Sequence, residues 1–271
     1  MTAAVAPMLA PSRFMRRSVR VRPEAGMLVA TLSAQVPGLE AALARQPELL
    51  APVKLAASAR GDTELRAELL RARGIDTEAL ARRALSQATA WLAGDAADAM
   101  PDANELHAEA IAAGLSELPK AWAWEPQGED GFHVHATAFG TSVRILVEGR
   151  ASTTVASVRS AVPAATADTR EALVRFALET NARVRLARIG VAASDEGSAR
   201  VTWDAVASPG VALERALPAA VEAVVGAHAT TRRALRALSH AAVARAYLDA
   251  RCGAAAQGCA AAGARARFLP A

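Results

Sequence analysis

His133 and His135 stand two apart in the chain. In a strand, that spacing puts both imidazoles on one side, within reach of a shared divalent ion. No carboxylate or thiol stands beside them to complete a ligand set. Phe132, Val134 and Ala136 alternate with His133, His135 and Thr137, which assigns the pair to the solvent side of an amphipathic strand. Cys252 and Cys259 have six residues between them and no histidine after them, a pattern that is neither a redox pair nor a zinc knuckle. Glu148, Glu179 and Asp204 are scattered, and nothing in their spacing pairs them for acid and base work. The nucleophile elbow Gly-x-Ser-x-Gly, the phosphate loop Gly-x-x-x-x-Gly-Lys and the dinucleotide fingerprint Gly-x-Gly-x-x-Gly are all missing. The expectation is a non-enzymatic chain with no catalytic residues, no cofactor and no metal.

The segment from Asn181 to Ile189 carries a different chemistry. Val184 and Leu186 fall on one side of an extended chain, Arg183 and Arg185 on the other. Strict alternation then puts Arg188 inside and Ile189 outside, a conflict that a bulge or an early strand end removes. Guanidinium groups displayed on a strand dock carboxylates. Arg183, Arg185 and Arg188, with Arg144 on the preceding hairpin and Trp203, are the candidate contacts for a protein partner. A solvated strand face explains the same arginines without any partner. Aromatic residues make up 4% of the chain, too few beside these arginines for base stacking, so no specific nucleic-acid partner is expected.

These residues must be held by a core built mainly from Ala, Leu and Val, since 52% of the chain is hydrophobic and little of that is aromatic. No run of 18 apolar residues occurs, so no transmembrane helix is expected and the chain reads as cytoplasmic. The net charge is +4, carried by arginine; Lys54 and Lys120 are the only lysines. Arg13, Arg16, Arg17, Arg20 and Arg22 precede the first acid at Glu24 and offer a weak contact to phosphates or an anionic surface.

Residues 1–26 read as a disordered arm, and 27–95 as a helical region. There the cap-like sequences Asp62-Thr-Glu and Asp76-Thr-Glu precede Leu65, Leu69 and Leu70 and then Leu80, Leu85 and Trp91. Residues 103–251 read as an α+β module with an antiparallel sheet, and 252–271 as a flexible Ala/Gly-rich tail. Within the module a helix over Asn104–Leu118 precedes a hairpin through Phe132–Thr137 and Ser142–Glu148. A weaker third strand follows through Ala151–Val158. The capping sequence Asp168-Thr-Arg-Glu171 opens a second helix. Strands over Arg183–Val191 and Ala199–Val206 come next, then a long helix from Val211 or Pro218 to about Arg251.

This helix–strands–helix–strands–helix order, from about residue 104 to 251, resembles the type III secretion chaperone-like fold, including its YbjN-type bacterial relatives. Ala172-Leu-Val-Arg-Phe-Ala-Leu-Glu-Thr-Asn181 resembles the central helix of that fold, the strand pair after it the second hairpin, and Leu213–Ala223 the returning helix. The resemblance implies a non-enzymatic bacterial protein, often a homodimer, that holds an extended segment of another protein on a sheet face and helix grooves. The expected function is that of a chaperone or adaptor. Its rivals are a structural subunit of a larger assembly and an enzyme with a cleft between the helical region and the sheet.

Overall fold

The computed structural model describes residues 19–36, 38–59, 61–94, 108–128, 131–150, 153–193 and 197–251, and shows an α+β chain with two antiparallel sheets. Strands β1 (Arg20–Glu24), β2 (Met27–Ser33), β3 (Val53–Ala57) and β4 (Thr63–Leu70) form the N-terminal sheet in the spatial order β1-β2-β4-β3. Helix α1 (Leu39–Arg45), continued by a 3-10 turn over Gln46–Glu48, joins β2 to β3, and α2 (Thr77–Ala93) follows β4.

Helices expected over 27–95 are therefore found as α1 and α2, while the rest of that region is sheet. The arm expected over 1–26 likewise includes a strand at Arg20–Glu24. The reason is legible in β4. Leu65, Ala67 and Leu69 alternate with Glu64, Arg66 and Glu68, a period of two that the spacing of Leu65, Leu69 and Leu70 masks. Asp62 caps no helix; its carbonyl accepts the N–H of Ser58 in the β3–β4 turn. The β1–β2 turn places Ala25 at φ 25° and Gly26 at φ 81°, the left-handed pair whose twist suits a two-residue hairpin. Helix α2 starts where its cap predicts, with Asp76 Oδ1 accepting the N–H of Ala79 at 3.0 Å.

The C-terminal half runs α3 (Ala108–Leu115), β5 (Ala123–Gln127), β6 (Gly131–Ala138), β7 (Thr141–Arg150), β8 (Thr153–Pro163), α4 (Ala167–Asn181), β9 (Arg188–Ala193), β10 (Ser198–Val206) and α5 (Leu213–Ala237). A sixth helix, α6, covers 241–251. The six strands lie in the order β5-β6-β7-β8-β10-β9. The stretch expected as a weak third strand is the 11-residue β8 at the sheet's centre. Its Thr, Ser and Ala side chains are small enough to be covered on both faces from Thr153 to Val158. Thr166, not Asp168, caps α4, with Thr169 completing the capping box. Helix α5 begins at Leu213, so Pro218 lies inside it instead of in its first turn. It packs across β6, β7, β8 and β10, where Trp203 donates its indole N–H to Thr231 at 2.8 Å.

Each half repeats one plan. Two strands, a helix, two strands and a helix occur as β1-β2-α1-β3-β4-α2, and again as β7-β8-α4-β9-β10-α5, with matching neighbours in each sheet. Contacts between the halves are reciprocal. Helix α1 packs on β9, and α4 packs on β3. Gln46, just after α1, accepts the N–H of Leu55 in its own half at 2.7 Å and donates to the carbonyl of Ile189 in the other at 3.2 Å. Asn181, at the end of α4, accepts the N–H of Ile189 at 2.7 Å and donates to the carbonyl of Leu55 at 2.9 Å. A contact in which residue i meets j while j's counterpart meets i's is isologous, the pattern of a two-fold dimer, here within one chain.

Candidate functional site

The seam between the halves buries two cations at matching places. Leu55 pairs with Leu65 as Ile189 pairs with Trp203, so Lys54 and Arg188 occupy equivalent positions on β3 and β9. Lys54 Nζ donates to Glu68 at 2.9 Å and to the carbonyls of Val184 and Ala187 in the opposite half. Arg188 donates to Asp204 at 2.6 Å and to the carbonyls of Leu49, Ala51 and Val53 in the opposite half. Each cation thus ties down the chain entering its counterpart's strand. Burial drives the Lys54 ammonium from 10.5 down to about 8, against the attraction of Glu68. Burial also opposes the Glu68 charge, but Lys54 and Arg66 together outweigh it and hold that carboxyl below its ordinary range. For Asp204 burial wins over Arg188, and its carboxyl is raised.

These groups bind the two halves together across the seam. Lys54, Glu68 and Arg188 are hydrogen-bonded to protein groups, Asp204 Oδ1 is buried with no hydrogen-bond partner, and the gap beside Lys54, Glu68 and Arg188 is only about 10 Å³. The sequence did carry a signal for Lys54: it is one of two lysines in an arginine-rich chain, set inside the apolar run Val53–Ala57. A compact ammonium can serve one carboxylate and two carbonyls at once.

The candidate partner residues are therefore separated by the fold. Arg188 is 2% exposed, and Trp203 is 1% exposed beneath α5, where His228 meets it edge-on at 4.8 Å; neither can touch a partner in the folded chain. The expected strand over Arg183–Val191 begins only at Arg188. Arg183 and Arg185 instead sit exposed in the turn after α4, where Leu186 takes φ 58°. That late start settles the conflict in phase: Ile189 shares the face of its paired residue Trp203, and Arg188 faces the opposite side, which the N-terminal half covers. Arg144 is exposed on β7, 2.6 Å from His133 Nδ1 and 3.8 Å from Glu125. His135 lies 3.3 Å from the same carboxylate. Among the described residues no group of three or more His, Cys, Asp or Glu is placed to hold a metal ion. Arg13, Arg16, Arg17, Cys252 and Cys259 lie outside the described residues.

What remains open is the face of each sheet away from α2 or α5. On the N-terminal sheet it forms a cleft of about 560 Å³ floored by Arg20, Arg22, Thr31, Glu64 and Arg66 and walled by Glu179, Ala182 and Arg183 at the end of α4. Its charges are mixed: Arg22 meets Glu24 at 2.8 Å, and Arg66 meets Glu68 at 2.6 Å. Partial burial raises the Glu64 carboxyl despite Arg66, Arg22 and Arg20. On the C-terminal sheet the outer face is buried at Ser157, Thr202, Asp204, Arg188 and Gly190 and exposed beyond them, at His135, Thr137, Ser142, Arg144, Arg159 and Arg200. Helix α1 and the turn after it wall this ledge, since a Cβ on Gly190 would meet Pro47 at 3.0 Å and the carbonyl of Leu43 at 3.1 Å. Each half therefore offers a shelf of sheet bounded by the other half's helix. Among the described residues no helix is long and apolar enough to cross a membrane. Comparison with protein-family models, curated proteins and solved structures finds no match.

Proposed function

We propose that the chain is a non-enzymatic protein-binding module, a chaperone or adaptor that holds an extended segment of a partner polypeptide against the outer face of its C-terminal sheet. The observation that carries this reading is that face itself. Strands β6 and β7 expose alternate polar side chains from His133 to Thr137 and from Ser142 to Arg144, while the same strands are anchored on their other face by Phe132, Val134, Ile145 and Val147. A rigid floor with a step at α1 suits an extended chain better than a small molecule, which needs an enclosing pocket. The resemblance to the secretion chaperone-like fold supports the same reading. Because the halves of one chain already make the reciprocal contact that two copies of a smaller module would make, we take the working unit to be a single chain.

A photo-crosslinking residue at Ser142, compared with one at exposed Arg233 on α5, tests the proposal in cells of the source organism. Polypeptide adducts that form from position 142 and not from 233 are the expected result. Adducts in equal number from both positions, or none to polypeptide at 142, overturn it.

A further inference from the structure

We infer that the segment held on the C-terminal ledge is acidic, a stretch of polypeptide with several Asp or Glu residues; this rests on the binding reading above. Three arginines from three neighbouring strands stand on the exposed part of that face. Leu146 pairs with Ser157 across β7 and β8, so Arg144 and Arg159, each two residues further along the same face, continue that row. Arg159 pairs with Thr202 on β10, and Arg200 stands two residues from Thr202 on the same face. Adjacent strands lie about 4.8 Å apart and alternate residues about 7 Å apart. The three guanidinium groups therefore root in a patch two strand spacings wide.

These charges are poorly compensated. Arg144 has Glu125 at 3.8 Å, whereas Arg159 and Arg200 form no ion pair with a described residue. The remaining acid on this face of β7, Glu148, is taken by Arg150 at 2.6 Å. Nor does the fold require arginine there. By the matching strand registers, the counterparts of Arg159 and Arg200 in the N-terminal half are Ser33 and Asp62. One plan thus carries a basic shelf in one half and a mixed one in the other. Hydroxyls of Thr137 and Ser142 border the basic patch and can accept or donate beside a carboxylate. A planar guanidinium binds a carboxylate through two parallel N–H donors, and this staggered set, Arg144 beside Arg159 and Arg200 one alternate residue further along β10, can meet several acidic side chains of one extended segment. Beside this patch stand the His135 ring and Phe139, 80% exposed in the β6–β7 turn, too few rings for a row of stacked bases, which favours an acidic peptide over a nucleic acid.

The probes are a fluorescent (Glu-Ala)₈ peptide, its (Gln-Ala)₈ counterpart and a single-stranded oligonucleotide, titrated with the full chain by anisotropy. The full chain is expected to bind the Glu peptide, with affinity that falls as salt rises, and to bind the Gln peptide at least about tenfold more weakly. R159E/R200E is expected to lose about tenfold or more in affinity. R159A/R200A, which puts no new charge near buried Asp204, moves in the same direction. R215E/R233E, an equal charge change on exposed positions of α5, leaves binding within about twofold. Equal loss in both reversal pairs assigns the effect to net charge and overturns the inference. Tighter binding of the oligonucleotide than of the Glu peptide overturns it in favour of nucleic acid. If no peptide binds while the crosslinker at 142 still captures polypeptide, the acidic inference falls and the binding module stands. If neither is seen, both fall.

Discussion

Asn181 holds both halves with one amide. Its oxygen accepts the N–H of Ile189 and its nitrogen donates to the carbonyls of Leu55 and Ile189, all buried. Asn181→Ala leaves an N–H and a carbonyl without partners in a dry seam and is expected to cost about 2–4 kcal/mol in denaturant unfolding. Gln46→Ala makes the matching cut. Both amides act on Leu55 and Ile189, so the double variant is expected to depart from the sum of the single losses by more than about 0.5 kcal/mol. Additive losses would show that the two amides work independently. Lys54 gives the seam a pH signature. Its folded-state value of about 8 lies below the 10.5 of an unfolded lysine, so between these values the unfolded chain binds more protons, and stability is gained as pH rises. The difference in unfolding free energy between wild type and Lys54→Met is expected to shift in favour of wild type from pH 8 to pH 10.5. A flat difference would place the Lys54 ammonium at its ordinary value. Lys54 is marked in the chain by its place in an apolar run, but the roles of the two amides are not. Gln46 and Asn181 look like any polar residues at helix ends, and only their meeting partners 126 and 143 positions away give them meaning.

At the scale of elements, the period of the apolar residues decided what could be read. Strands β6 and β7 alternate cleanly because one face is covered and the other is open, and the sequence places them well. Strand β4 alternates too, but its polar face carries Arg66 and Glu68 into a buried position, so both faces end up covered. Strand β9 starts late because the chain leaves α4 through a turn in which Arg183 and Val184 donate to the Thr180 carbonyl and Leu186 takes φ 58°, although its residues alternate like a strand. Gly190 shows what the close packing of elements demands. With Pro47 and the Leu43 carbonyl about to touch any added carbon, Gly190→Val is expected to push α1 from β9 and to cost about 1–3 kcal/mol. Thermal unfolding checks it, and an unchanged midpoint would mean that α1 yields freely. The equivalent position in the N-terminal half is Ala56, which already carries a methyl group against α4.

For the whole molecule, the reciprocal seam predicts that the halves cohere without the peptide link between them. A protease site placed within 95–107 and cut is expected to leave two fragments that elute together and separate only in denaturant. Fragments that part in native buffer would show that the seam depends on chain connection. Reading either half alone misses this, because each half's buried cation finds its carbonyl acceptors in the other. Lys54 needs Val184 and Ala187, and Arg188 needs Leu49, Ala51 and Val53. A charge buried without such partners would cost several kcal/mol, so the two halves specify each other.

From local chemistry alone come the α+β class, the C-terminal strands with one apolar face, the Asp76 cap of α2 and the missing motifs of familiar enzymes. Those follow from periods of two and 3.6 and from side chains acting on their near neighbours. The alternation that makes β4 a strand was present but masked by its leucine spacing; tertiary structure alone decided that the first half repeats the second and which arginines face water. Arg144, Arg159 and Arg200 stay exposed while Arg188 is buried, because the opposite half covers part of one sheet face, and a pattern along one strand carries no record of what another strand brings to it.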